Sequence, residues 1–183
     1  MKPICYLIHG IKTEDAKHST ISFLAYILPK YKTILLYYGY VPAIAAPVIS
    51  LINKYVVWKC CKAIVKGNIL IGHSNGCAVA YGVSKKLKTK GLVLINPALN
   101  RDVLFPPDLE FIHVYWSKKD RITWLSKFVP FSIWGSMGSE GYSGSDPRVR
   151  QWEMGIGHTG IGSAEIALKW GPVIVANLAA HQA

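Results

Sequence analysis

Five short apolar runs, each closed by a polar or turn residue, constrain this chain more than any other feature. They are Pro3 to Ile8, Thr33 to Tyr38, Ile69 to Ile71, Leu92 to Ile95 and Phe111 to Trp116. A strand that is apolar throughout needs cover on both of its faces, which is the condition of a strand inside a parallel sheet. Stretches of helical spacing lie between the runs. Glu14 to Leu28 sets Ile21, Leu24, Ala25 and Leu28 on one stripe and stops at Pro29. Pro47 to Lys66 and Asn75 to Lys88 both end in lysines, which suit the negative end of a helix. Val149 to Met154 reads as a last, weaker strand, and Ala164 to Ala180 as the closing helix. The alternation predicts an α/β fold: a three-layer α/β/α sandwich around a mostly parallel sheet of about six strands. Residues 1–183 read as a single domain, long enough for one core and too short for two of ordinary size. The Gly- and Ser-rich stretch Ser132 to Pro147 reads as a surface loop.

Composition narrows the class. Apolar residues make up 51% and charged ones 17%, which excludes intrinsic disorder. Mean hydropathy is +0.24, so a membrane segment has to be considered. The longest apolar stretch, Tyr37 to Val57, is broken by Gly39, Pro42, Pro47, Asn53 and Lys54, and no run approaches the roughly 20 residues of a spanning helix. Ile4 to Ile8 is too short for a signal-peptide core. The expectation is a soluble, unexported, cytoplasmic protein. The four cysteines, Cys5, Cys60, Cys61 and Cys77, show no C-x-x-C spacing, so the sequence supports no metal or redox site and reads as free thiols. A net charge of +11 serves solubility or marks an anionic partner; the lysines cluster at Lys54 to Lys66 and Lys85 to Lys90, outside any nucleic-acid motif.

The chemistry is concentrated in Gly72-His73-Ser74-Asn75-Gly76, between the run ending at Ile71 and a helix. A serine in a tight strand-to-helix turn takes strained backbone angles, and bulky neighbours would clash there. Gly72, Gly76 and Ala78 leave that space open. The turn lifts the hydroxyl off the sheet and sets it at a helix amino end, where N–H groups can stabilise an oxyanion.

A serine hydroxyl needs a base. Of the six histidines, His18 and His181 read as exposed, His113 as interior, His73 as pointing away from Ser74, and His9 as a strand end. His158 lies in Gly155-Ile156-Gly157-His158-Thr159-Gly160, a loop that can carry its ring over the sheet edge. Those residues also spell G-x-G-x-x-G, but no strong strand precedes them and no acid follows about 20 positions later, so a dinucleotide site is rejected. The base in turn needs a carboxylate. Asp120, four residues beyond the strand ending at Trp116, is the first candidate, with Asp102 and then Asp146 behind it.

The order Ser74, Asp120, His158 resembles that of the α/β-hydrolase family over nearly the whole chain. The resemblance implies a serine hydrolase, a carboxylesterase by family habit, acting through an acyl-enzyme on a small-molecule acyl substrate. It implies no metal or organic cofactor, and an oxyanion hole from the N–H groups of Ile11 and Asn75, since His9-Gly10-Ile11 is similar to the family's oxyanion loop. It also implies an edge position for the Thr33–Tyr38 strand and a place for the Pro3–Ile8 strand beside the Ser74 strand. The family's first two strands are missing. Only fifteen residues separate Ile95 from Phe111, too few for the cap many members carry, so a lidless site open to small or exposed acyl groups is expected. The aromatic stretch Ile122 to Trp134 reads equally as a partial wall or as interior packing. Two other readings stay open: a binding module that kept the fold without catalysis, and a hydrolase working at an anionic or lipid interface.

Overall fold

The computed structural model describes residues 2–11, 21–39, 41, 48–65, 67–126 and 134–181. Pro47 and Lys66, the amino half of the helix expected from Glu14, His18 with it, and Phe128 and Phe131 of the aromatic stretch lie outside the described residues. The strands are β1 (Ile4–Ile8), β2 (Lys32–Leu36), β3 (Ile69–His73), β4 (Gly91–Ile95), β5 (Phe111–Trp116) and β6 (Val149–Glu153). The helices are α1 (Leu24–Ile27), α2 (Ile49–Ala63), α3 (Asn75–Ser84), α4 (Arg121–Ser126), α5 (Met137–Glu140) and α6 (Ala164–Ala179). All six strands join one sheet in the order β2-β1-β3-β4-β5-β6, with every neighbouring pair parallel. The β2 edge and the β1–β3 pairing agree with the topology expected from the sequence.

Position in the sheet explains the strength of each strand's signal. Every residue of β3 and β4 is buried, so both read as continuous apolar runs. β6 is an edge strand with Arg150, Gln151 and Glu153 exposed, so its apolar pattern is diluted. Alternate strand residues feed two cores. On one face Tyr6, Leu70, Leu92 and Ile112 pack under Val56, Val57 and Cys60 of α2 and Val79 and Val83 of α3. On the other, Leu7, Ile71, Val93 and Tyr115 pack under Leu24 of α1 and Ile174 and Leu178 of α6. Each fully buried Leu or Ile contributes roughly 1.5–3 kcal/mol. α6 runs on through Pro172; the carbonyl this frees belongs to Leu168, on the solvent side, where water can serve it.

One expectation fails in part. Of the stretch Ser132 to Pro147, Ser143 to Pro147 is a largely exposed irregular loop as expected, but Ser136, Met137, Gly138, Ser139 and Tyr142 are buried. Its backbone is stitched beneath the ends of β4 and β5, where Met137 N–H donates to Leu99 O (3.0 Å), Gly138 N–H to Pro97 O (2.8 Å) and Ser117 N–H to Gly138 O (2.8 Å). A Cβ at Gly138 would stand 2.8 Å from both the Asn96 carbonyl carbon and the Thr123 side chain. The small residues there serve close backbone packing, not a surface turn.

Because β2 and β3 leave β1 on opposite sides, the connectivity reverses between β1 and β3. A crevice opens at the carboxyl ends of two such strands. Gly10 follows one of them and Ser74 the other.

Candidate active site

Ser74 has φ 56° and ψ −126°, one of two non-glycine residues with positive φ among those described. That strain of roughly 1–3 kcal/mol persists because the neighbours hold the turn. A Cβ on Gly72 would lie 2.7 Å from the backbone of Cys77, and one on Gly76 would strike the carbonyls of Ile8 and His9. Gly10 closes the turn from β1, its would-be Cβ 3.0 Å from Ser74 Cβ. Ser74 is only 7% exposed, and the Asn75 N–H behind it belongs to the first turn of α3, where amides have no acceptor within the helix.

His158 bridges Ser74 and Asp120. Its Nε2 is 2.7 Å from Ser74 Oγ and its Nδ1 is 2.8 Å from Asp120 Oδ2. An ionised carboxylate only accepts, so Nδ1–H donates to Asp120 and Ser74 O–H donates to Nε2. Asp120 is wholly buried, at the end of the β5 turn. Burial opposes its charge, but the hydrogen bond and charge of His158, with Thr123, outweigh that and hold the carboxyl below its ordinary range. Oδ1 accepts from Thr123 N–H (3.0 Å), and Oδ2 also accepts from Asn96 Nδ2 (2.9 Å). The two runner-up carboxylates lie elsewhere: Asp146 is paired with Arg148 (2.6 Å), and Asp102 sits in the turn after Arg101.

Supporting residues emerge that the sequence did not mark. Asn96, directly after β4, has φ 45°, a conformation asparagine tolerates better than most residues, and so turns its amide onto Asp120. The His73 ring reaches the His158 loop, where its Nε2–H donates to the carbonyl of His158 itself (2.9 Å). Burial, reinforced by His158, drives its pKa down to about 3, so the ring is neutral. His9 is likewise buried and its pKa lowered by burial; Nδ1–H donates to Gly10 O (2.6 Å) while Nε2 accepts from Tyr38 N–H (3.2 Å). It thereby ties the loop after β1 to the exit of β2. The Asn75 side chain exchanges hydrogen bonds with Asn53 of α2 (2.8 and 2.9 Å) and accepts from Trp134 Nε1 (2.8 Å). Trp134 is thus tied to the site, whereas Trp124 is exposed and Thr123 is buried. Ile11 follows Gly10 directly and is half-buried. No recurring spacing announces these contacts, because each joins segments remote in sequence.

No protein-family model matches the chain, and no curated protein matches it in sequence. Solved structures do match. Alpha/beta hydrolase domain-containing protein 10 from mouse superposes with TM-score 0.65 at 12% identity, covering 100% of this chain and 92% of the mouse chain. The chain has the α/β-hydrolase fold. A Xanthomonas campestris pv. campestris protein assigned to the alpha/beta superfamily matches with TM-score 0.62 at 15% identity over 97% of this chain and 96% of the other. The monoacylglycerol lipase of Paleococcus ferrophilus gives 0.58 at 12%, over 97% and 94%. The fifteen residues from Asn96 to Glu110 contain no helix or strand and bury Ala98, Leu99, Phe105 and Leu109.

Proposed function

We propose that this protein is a serine hydrolase that cleaves carboxylic esters of small or exposed acyl groups. The observation that carries the reading is the His158 ring held between Asp120 Oδ2 and Ser74 Oγ. In the first step His158 Nε2 takes the Ser74 proton as Oγ bonds to the substrate carbonyl carbon, and the resulting oxyanion is held by the N–H groups of Asn75 and Ile11. His158 then gives that proton to the departing alkoxide, leaving an acyl-enzyme and an alcohol. Water, deprotonated by His158, attacks the acyl carbon; collapse returns Ser74 and releases the acid. Asp120 holds the Nδ1–H tautomer and steadies the transient imidazolium, and Asn96 and Thr123 fix Asp120. A lipase among the structural neighbours, that of Paleococcus ferrophilus, supports ester over amide cleavage. The short, capless connection after β4 favours small acyl groups.

A fluorophosphonate probe tests the reading against a binding module that merely kept the fold. The native chain should be labelled at Ser74 and should hydrolyse short p-nitrophenyl esters fastest. Ser74→Ala should lose labelling and all but a trace of turnover, and Asp120→Asn should lower kcat about 10⁴-fold. A folded native chain that neither labels nor turns over esters would defeat it.

A further inference from the structure

From Ala16 to Arg101 the sequence carries twelve Lys and Arg and not one Asp or Glu. The positive charge of the molecule is therefore concentrated in the half that holds β2, α2, β3, α3 and β4. Within that half, α2 presents a stripe that the fold leaves uncovered. Leu51, Tyr55 and Trp58 recur at i, i+4 and i+7, so they share one helix face, and they are 63%, 61% and 50% exposed. The Tyr55 and Trp58 rings lie 5.9 Å apart, and Lys62, one turn on, holds Nζ 3.6 Å above the Trp58 ring. At about 100° per residue, Lys54 and Lys59 fall on either side of the stripe, and both are exposed. The opposite face, with Asn53, Val56, Val57 and Cys60, is buried. Lys86, beyond the end of α3, acts electrostatically on Cys61 and extends the positive field along the same side.

Exposed apolar side chains scattered singly need no explanation; three aligned on one helix face between lysines do. A second copy of the chain would bring like charges together across this face, which opposes self-association. A flat anionic surface with an apolar interior satisfies both parts of the stripe. Amphipathic rings settle at the headgroup level, and ammonium groups pair with anionic headgroups. We propose that α2 docks the molecule on an anionic lipid bilayer, with Leu51, Tyr55 and Trp58 entering the boundary between headgroups and acyl chains and Lys54, Lys59 and Lys62 meeting lipid charge. The amino half of α2 lies beside the candidate active site, since Asn53 pairs with Asn75 next to Ser74. Docking itself does not depend on the chemistry of Ser74.

Co-sedimentation of the full chain with vesicles tests this. The chain should pellet with mixed phosphatidylcholine–phosphatidylglycerol vesicles, far less with phosphatidylcholine alone, and less as salt is added. Lys54→Glu/Lys59→Glu/Lys62→Glu should weaken partitioning roughly a hundredfold. Tyr55→Ala/Trp58→Ala should weaken it at least about tenfold, and both sets lie on the surface, so circular dichroism should stay native. Ser74→Ala should bind like the parent, which separates failure of docking from failure of the hydrolase reading. A native chain that stays in the supernatant overturns the proposal, as does pelleting that ignores both sets of substitutions. So does a dimer in sedimentation velocity that Tyr55→Ala/Trp58→Ala dissolves, which would make the stripe an interface between copies.

Discussion

His73 illustrates how a neighbour of the candidate nucleophile can act without facing it. Its ring is buried and neutral, and its Nε2–H holds the backbone carbonyl of His158. Removing that donor leaves a carbonyl without its partner and frees the loop that carries the candidate base. A displacement of about 1 Å at a reacting group costs up to roughly 10²-fold. His73→Phe is therefore expected to lower kcat for a p-nitrophenyl ester tenfold to about a hundredfold with KM nearly unchanged, while His73→Gln, which keeps a donor, recovers most of the loss. Equal damage from both variants would point to packing alone. Ser74 was legible because steric need writes glycines around it, and Asp120 and His158 because chain order narrows the choice. Asn96, His73 and Asn53 were not, because their value lies in contacts across 24, 85 and 22 residues.

The elements divide in the same way. β1, β3, β4 and β5 announced themselves because burial on both faces leaves few polar positions; α2 keeps Lys59 and Lys62 near its carboxyl end as expected, whereas α3 stops at Ser84, before the lysines expected to close it. The segment from Gly135 to Tyr142 was misread because small residues signal both loops and close packing, and only contact distinguishes the two. That ambiguity can be tested between two glycines of the candidate site. Gly76 sits where α3 crosses the end of β1, and a Cβ there would strike the Ile8 and His9 carbonyls, which are backbone and cannot rotate away. Gly157, in the His158 loop, has nothing within 4 Å of its would-be Cβ. Gly76→Ala should destabilise the protein by about 2–3 kcal/mol, read as a lower urea midpoint, whereas Gly157→Ala should stay within about 0.5 kcal/mol.

At the scale of the whole molecule, three histidines among the described residues are interior, His9, His73 and His113, each 2% exposed or less. Burial lowers the pKa of all three, to about 3 for His73 and, with His181 and Arg150 adding to burial, to about 4 for His113. The unfolded chain takes up these protons near pH 6.5, whereas the native chain takes them up only at lower pH. Between those values the unfolded state binds more protons, so stability rises with pH and falls on acidification. Asp120 acts in the same direction further down: its depressed carboxyl gives stability that is present above its unfolded value of 3.8 and is lost as pH falls through the native one. The charge of +11 grows in acid and adds repulsion. Stability should therefore begin to fall just below pH 6.5, earlier than carboxylates alone would dictate. His113 isolates the histidine share, because it lies outside the candidate site and its Nδ1 is buried with no partner. A pKa difference of this size is worth on the order of 3 kcal/mol by pH 4. Urea midpoints of native and His113→Leu chains, taken from pH 7 to pH 4, should converge as pH falls, with the variant's curve flatter by about that amount; parallel curves would mean that the His113 ring is charged inside the fold.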